Sequence, residues 1–429
     1  MVWLAAVGVW MPARAAEDRF VELRGAYLPG AKGNTLQMVA RARLTFESAV
    51  RDHWTLVSTV EAALQHGRNL ATEVERTLRE SDFGPLLEGC TFSEAINPWL
   101  GVSSADDYLD VDRLYADYYS EQFDLRVGRQ AIFWGSAQFI NPTDPFFQFL
   151  LAEPWRPRQG INAARVTVPF GPLDDVTVVV GMNDTFDGAR VAGRAQVNFW
   201  ETDWALVGAY RSETQQGLVG VDLKGTFGVG WWIEAAIKLG DRNYEEMAVG
   251  IDYSFPVLEN IVVTAQYYRN GSGTRDSSHG VGGGATSVFG LLEPPECDVP
   301  NPYLTAFIEE TGRSRPDPFA SFTVGTDYVL LSVSAGITPD VNASLSGLQN
   351  LHDGTALFIP TLNTHPIEWM DLALSAQIPA AVWGTGGEFK PRASDLVIAV
   401  PGPEGSALAV DLSGLVPSAT LTLWMRGNF

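Results

Sequence analysis

The chain has 429 residues, 46% hydrophobic and 19% charged, and its 51 acidic against 29 basic side chains give a formal charge of −22. Thirteen Trp, 22 Phe and 12 Tyr supply ample apolar surface, which excludes disorder. The acidic balance argues against a nucleic-acid partner, and two Cys exclude a disulfide scaffold or a Cys-rich metal site.

The first element is a leader. Val2 to Met11 is uninterrupted apolar sequence, and Pro12 and Ala13-Arg14-Ala15 follow with a small-x-small pattern. This predicts a signal peptide over 1–15 and a mature domain over 16–429, although the usual basic start is missing and a buried apolar segment is the alternative. Beyond it no run of about 18 apolar residues occurs, so no transmembrane helix is expected.

Period-two alternation then recurs along the chain. Strands are expected at 18–28, 34–48, 53–65, 107–121, 123–134, 160–169, 174–183, 190–199, 203–213, 216–226, 229–239, 246–255, 260–270, 320–337, 341–350, 354–363, 367–378 and 418–429. Val191, Val197 and Phe199 share one face of their strand while Arg190, Arg194, Gln196 and Asn198 share the other. One face suits lipid and the other water. The four long connections, 66–106, 135–159, 271–319 and 379–417, all follow odd-numbered strands, and the connections after even-numbered strands are short. An up-and-down barrel that starts in the periplasm sorts its loops in this way, whereas a soluble β-sandwich has no reason to. The fold class is therefore all-β, a transmembrane antiparallel barrel of about 18 strands, with 16 to 20 open because 396–400 and 407–412 are able to form an extra hairpin. Leu421, Leu423, Met425 and Phe429 alternate at the end of the chain.

The segment Leu125-Arg126-Val127-Gly128-Arg129-Gln130-Ala131-Ile132-Phe133-Trp134-Gly135, then Asn141-Pro142-Thr143-Asp144-Pro145, resembles one found in alginate-export-type outer-membrane porins and their relatives. Asn350-Leu351-His352-Asp353-Gly354 resembles a hairpin late in the same barrels, and terminal Phe429 resembles the signal read by the barrel assembly machinery. The resemblance implies a Gram-negative outer-membrane channel in contact with lipid and lipopolysaccharide. Trp134 is expected in the aromatic girdle where its strand leaves the membrane. The 141–145 turn folds its loop back.

If the alternation holds, the pore wall carries Arg41, Arg43, Arg113, Arg126, Arg165, Arg190, Arg194 and Arg211, with Arg129 adding donors near the wall. Guanidiniums in a row are able to bind and pass on carboxylate or phosphate groups; the alternative is that they pair with acids such as Asp117 and Asp222 and brace the barrel. The acidic excess is expected mostly in outer loops. Phe146, Phe147 and Phe149 lie in a run too apolar for water, expected to enter the lumen as a constriction or to pack on another loop. Leu70, Val74 and Leu78 suggest a short helix over 69–81, and Cys90 and Cys297 sit in different outer loops that a disulfide could join. Scattered His and the lack of a nucleophile elbow or phosphate loop give no catalytic or metal site and no cofactor, although His66 and His352 lie at the outer end.

The reading is a passive channel for small polar or anionic solutes, with a uronate-like carbohydrate as one cargo. The rivals are a sleeve in an envelope-spanning complex, with a periplasmic partner, and a secreted β-sandwich.

Overall fold

A strand turns successive side chains to opposite faces, so the repeated alternation dictates a two-faced sheet. A computed structural model describes residues 19–30, 33–51, 53–67, 76–77, 79–81, 84–88, 90–91, 107–146, 158–182, 188–212, 214–240, 242–273, 275, 296–297, 323, 325–384, 386–390, 392, 397–401, 407–411 and 418–428. The predicted leader, Phe147, Phe149 and Phe429 lie outside them.

The strands are β1 (Phe20–Gly30), β2 (Gly33–Arg51), β3 (Trp54–Gly67), β4 (Cys90–Thr91), β5 (Tyr108–Tyr119), β6 (Asp124–Gln130), β7 (Ile161–Pro169) and β8 (Asp175–Met182). They continue with β9 (Ala189–Phe199), β10 (Thr202–Arg211), β11 (Gln216–Thr226), β12 (Gly230–Leu239), β13 (Tyr244–Phe255), β14 (Asn260–Asn270) and β15 (Glu296–Cys297). The last are β16 (Asp327–Thr338), β17 (Val341–Asn350), β18 (Thr355–Ile367), β19 (Met370–Ala381), β20 (Val397–Pro401), β21 (Ala407–Asp411) and β22 (Thr420–Asn428). Eighteen of these, all but β4, β15, β20 and β21, form one antiparallel sheet. It closes where β22 pairs with β1, from Phe20 opposite Asn428 to Tyr27 opposite Leu421. One closed sheet is not a sandwich, so that rival is overturned. The hairpin in the last long loop does form, but β20 and β21 pair only with each other, and the barrel keeps 18 strands.

The alternation sorts as expected. On β8, Val176, Val178, Val180 and Met182 face outward and are exposed, while Thr177, Val179 and Gly181 face inward and are buried. Leu421, Leu423 and Met425 on β22 extend the outward apolar belt. Moving each such side chain out of water is worth about 1.5–3 kcal/mol, so the belt demands lipid. No helix among the described residues is long and apolar enough to cross a membrane, and the strands do the crossing.

The two ends differ. At one, β9 turns into β10 through Trp200 and Glu201, whose φ angles of 51° and 56° give the type I′ geometry that fits the strand twist. Phe170, Phe199, Trp200, Phe227, Phe255 and Trp369 ring this end as exposed aromatics. The long connections all leave the other end, after β3, β6, β14 and β19. There β4 and β15 tie two of them together, with Cys90 opposite Cys297 in register. Residues 76, 77 and 79 are helical, inside the span where a short helix was expected.

Candidate functional site: a lumen narrowed by two inward loops

β6 ends at Gln130, four residues before the expected limit, because the chain turns inward there. Gly128 has φ +125°, and a Cβ at that position would lie 2.1 Å from the Leu114 carbonyl oxygen, so only glycine fits. Trp134, assigned to the girdle from its place in the sequence, is instead buried in the lumen edge-on to Phe146, with ring centroids 5.5 Å apart. With Ile132 they cover Ala163, Val179, Ala192, Val207, Leu218 and Ala236. These inward positions on β7 to β12 are apolar and need cover, and the loop supplies it. Phe146 therefore enters the lumen as an anchor on the wall.

The loop reaches β12, six strands round the barrel from β6, and its polar groups are satisfied there. Glu234 Oε1 accepts the N–H groups of Ser136 and Ala137, each at 2.6 Å. Its Oε2 accepts the N–H and hydroxyl of Thr143 at 3.1 and 2.7 Å. Gln266 on β14 accepts the Gln138 N–H at 3.1 Å and donates to the Ile140 carbonyl at 3.2 Å. Two cations hold the proline carbonyls: Lys238 donates to Pro142 at 2.8 Å and Arg211 to Pro145 at 2.7 Å. Asp144 pairs with Arg158 and caps the Phe146 N–H at 2.9 Å; burial pushes its carboxyl above the usual aspartate range, and Arg158 pulls the other way. The 141–145 segment does fold back, with the Asp144 N–H bonded to the Asn141 carbonyl at 3.1 Å.

A second loop enters beyond β19. Glu388 accepts from the Tyr328 hydroxyl and from Asn350 at 2.9 Å, while its own N–H donates to Asp353 at 2.7 Å. Phe389 from this loop and Phe139 from the first pack against one wall of Trp232, Tyr268, Tyr328, Leu330 and Leu348. The Asn350–Gly354 hairpin singled out in the sequence thus acts as a dock. His352 pairs with Asp327 at 2.6 Å, and the Asp327 carboxylate also accepts the Tyr267 hydroxyl; no serine joins them among the described contacts.

Carboxylates brace much of the arginine row. Arg41, 2% exposed, lies 3.0 Å from Glu22 and 3.4 Å from Glu61. Arg43, 1% exposed, lies 2.9 Å from Glu61 and 2.5 Å from Asp112. Arg113 reaches Asp112 at 3.4 Å and Arg194 reaches Asp222 at 3.9 Å. Arg126 grips both Asp117 oxygens, at 2.5 and 2.8 Å, and lies 4.2 Å from the centre of the Tyr115 ring. Arg129 stands opposite Leu114, which faces lipid, and is 3.7 Å from Asp110, a rim position rather than part of the inward row. Arg190 lies opposite Arg211, and Arg165 opposite Arg126. Hydroxyl pairs bridge inward positions elsewhere: Thr45 with Thr59 at 2.8 Å, Thr167 with Thr177 at 2.9 Å, Ser332 with Ser346 at 2.9 Å and Thr361 with Ser375 at 3.0 Å.

Solved barrels share this architecture. Acinetobacter baumannii OccAB4 superposes with a TM-score of 0.53 at 10% identity, covering 97% of this chain and 100% of its own. Pseudomonas aeruginosa OccK5 (OpdH) gives 0.53 at 9% identity, with 95% and 96% covered. The P. aeruginosa outer membrane protein OpdK gives 0.50 at 10% identity, with 96% and 98% covered. The chain has the porin fold. No protein-family model matches the sequence, and no curated protein matches it. The similarity to the solved porins is therefore one of backbone, not of residues. A closed barrel with this lipid belt is an outer-membrane protein. The alginate-export-type resemblance still rests on the two sequence segments alone.

Proposed function

We propose that this porin-fold barrel is a passive channel for small polar and anionic solutes. The observation that carries the reading is solvent access on the inner wall: the Arg126 and Arg194 side chains keep 20% and 22% of their surface exposed beside a wall that the first loop covers. An 18-stranded barrel is wide enough to hold a water path even with loops folded in. Guanidiniums along such a path favour anions, and the cross-strand pair Arg126–Arg165 is a place where an anion could pause. A uronate-like carbohydrate fits the alginate-export-type resemblance of the Arg126–Gly135 segment.

Several elements complete the reading: export past a signal peptide at 1–15, assembly through Phe429, contact with lipopolysaccharide, a periplasmic partner, and a Phe147–Phe149 contribution to the constriction. Solutes cross by diffusion, and no covalent step or cofactor is part of it.

The test is planar-bilayer recording of the refolded protein across a KCl gradient. A reversal potential displaced toward the chloride potential is expected. Cation preference removes the anion part, and no conductance until a partner is added replaces the channel by a sleeve.

A further inference from the structure

On one side of the barrel the outward face ends in charged residues. On β13 the outward row runs Glu245, Met247, Val249, Ile251, Tyr253 and Phe255. Phe255 belongs to the aromatic ring at the short-turn end, and Glu245 stands ten residues before it. Ten residues at about 3.4 Å each, on a strand tilted by about 40°, rise about 26 Å, against an apolar band about 25 Å tall. Glu245 therefore lies at the headgroup level of the outer leaflet.

The next two strands continue the polar patch. Register places Met247 opposite Arg269 on β14 and Arg269 opposite Asp327 on β16, so Arg269 and Asp327 share the outward face with Glu245. Asp327 accepts the hydroxyl of Tyr267, which also faces outward, and pairs with His352 at 2.6 Å. Arg269 lies 3.7 Å from Glu245 and 3.6 Å from Asp327. Both distances exceed the hydrogen-bond range of about 2.7–3.2 Å, so the guanidinium gains by turning to an acceptor that comes closer. The side chains of Arg269 and Glu245 keep 33% and 63% of their surface exposed. Below them the wall is apolar: Ala265 on β14 stands between Ile251 and Leu331, both long and exposed. The short side chain between two long ones leaves a trough down the strand that suits an acyl chain.

We infer that Arg269 and Glu245 form a binding site on the lipid-facing wall for the phosphorylated sugar headgroup of lipopolysaccharide, with an acyl chain in the Ala265 trough. The guanidinium takes a phosphate in charge-assisted hydrogen bonds. The exposed Glu245 carboxylate shares a divalent cation with that phosphate, since a hard cation gathers oxygens from both. Asp327 is answered by Tyr267, His352 and Arg269, and it holds the guanidinium in position. The level of the patch selects the source, because lipopolysaccharide makes up the outer leaflet of a Gram-negative outer membrane. The inference rests on the lipopolysaccharide contact proposed above and gives that contact its place.

The experiment is native mass spectrometry of the refolded full-length barrel, with and without Mg²⁺, against three lipids: lipid A with two phosphates, lipid A stripped of phosphate, and phosphatidylglycerol. Bisphosphorylated lipid A is expected to bind tightest. Stripping its phosphates weakens binding at least about tenfold, which is about 1.4 kcal/mol, and this comparison needs no variant. Arg269→Gln brings a similar loss, and Arg269→Lys a smaller one because it keeps the charge without the planar fork. Glu245→Gln removes the gain that Mg²⁺ brings to wild type. Arg76→Gln, which takes a cation from the first long outer loop, changes neither. Heat-dependent gel migration checks that each variant is a closed barrel. If wild type binds lipid A while Arg269→Gln and Glu245→Gln both bind it within twofold of wild type, the site is elsewhere and the inference falls. Binding that ignores the phosphates overturns it as well, and equal binding of phosphatidylglycerol overturns the assignment to lipopolysaccharide. A wild-type barrel that retains no lipid A overturns the lipopolysaccharide contact itself.

Discussion

Glu234 concentrates the attachment of the first loop on one carboxylate, with three N–H groups and one hydroxyl as its donors. Removing it strands those donors, each worth about 1–3 kcal/mol when buried and unpaired. Glu234→Ala is expected to release the loop and to give a larger, noisier single-channel current, with Glu234→Gln intermediate because it keeps an acceptor. An unchanged conductance in Glu234→Ala would place the narrowing elsewhere. Nothing in the sequence marks Glu234: it occupies an inward position of an alternating strand, as many neutral residues do, and its partners lie over 90 residues away. The inward arginines were legible because alternation assigns a face. Their partners were legible only in part. Asp112 faces inward through a bulge opposite Thr59 and Val60, and a bulge breaks the period-two count on which the sequence reading relies.

Elements with one period were legible throughout, and elements with none were legible only in part. Strands and the parity of the long connections followed from alternation and turn length, but the path of a loop depends on what it covers. The apolar 146–151 run pointed into the lumen, and Phe146 does go there, yet Trp134 looked like any girdle tryptophan until the small apolar row on β7 to β12 gave it a partner. The two-residue strands β4 and β15 carry a prediction at this scale. Antiparallel partners have Cα atoms about 4.5–5.5 Å apart, inside the range of about 4.4–6.8 Å that a disulfide spans. Cys90 and Cys297 are therefore expected to be bridged, joining the first and third long outer loops. Maleimide labelling of the unfolded chain should need prior reduction, and Cys90→Ser should free one thiol; labelling of two thiols without reductant would refute the bridge.

At the scale of the molecule, solved barrels at 9–10% identity cover nearly the whole chain. What they share is strand number and closure, which demand a face pattern and tight turns at one end rather than particular residues. A closed sheet without edges also resists detergent. The unheated protein is therefore expected to migrate faster than the boiled protein on a denaturing gel, and identical migration before and after boiling would contradict a closed barrel. The charge of −22 takes on a different distribution at this scale. Part of the acid, namely Glu22, Glu61, Asp112 and Asp117, is built into the wall as counter-charge to the arginines, so the outer loops do not hold all of it.

The closure of β22 on β1 has a consequence for how such a barrel changes over generations. Girth comes in whole strands, and an up-and-down barrel with both ends on one side changes by hairpins, so no point substitution widens the cylinder by a small amount. Gradual adjustment of calibre is left to whatever lies inside the wall: here two tethered loops and a few long side chains. Variation among close relatives of this chain should therefore gather at the tethers, while the cylinder around them stays constant.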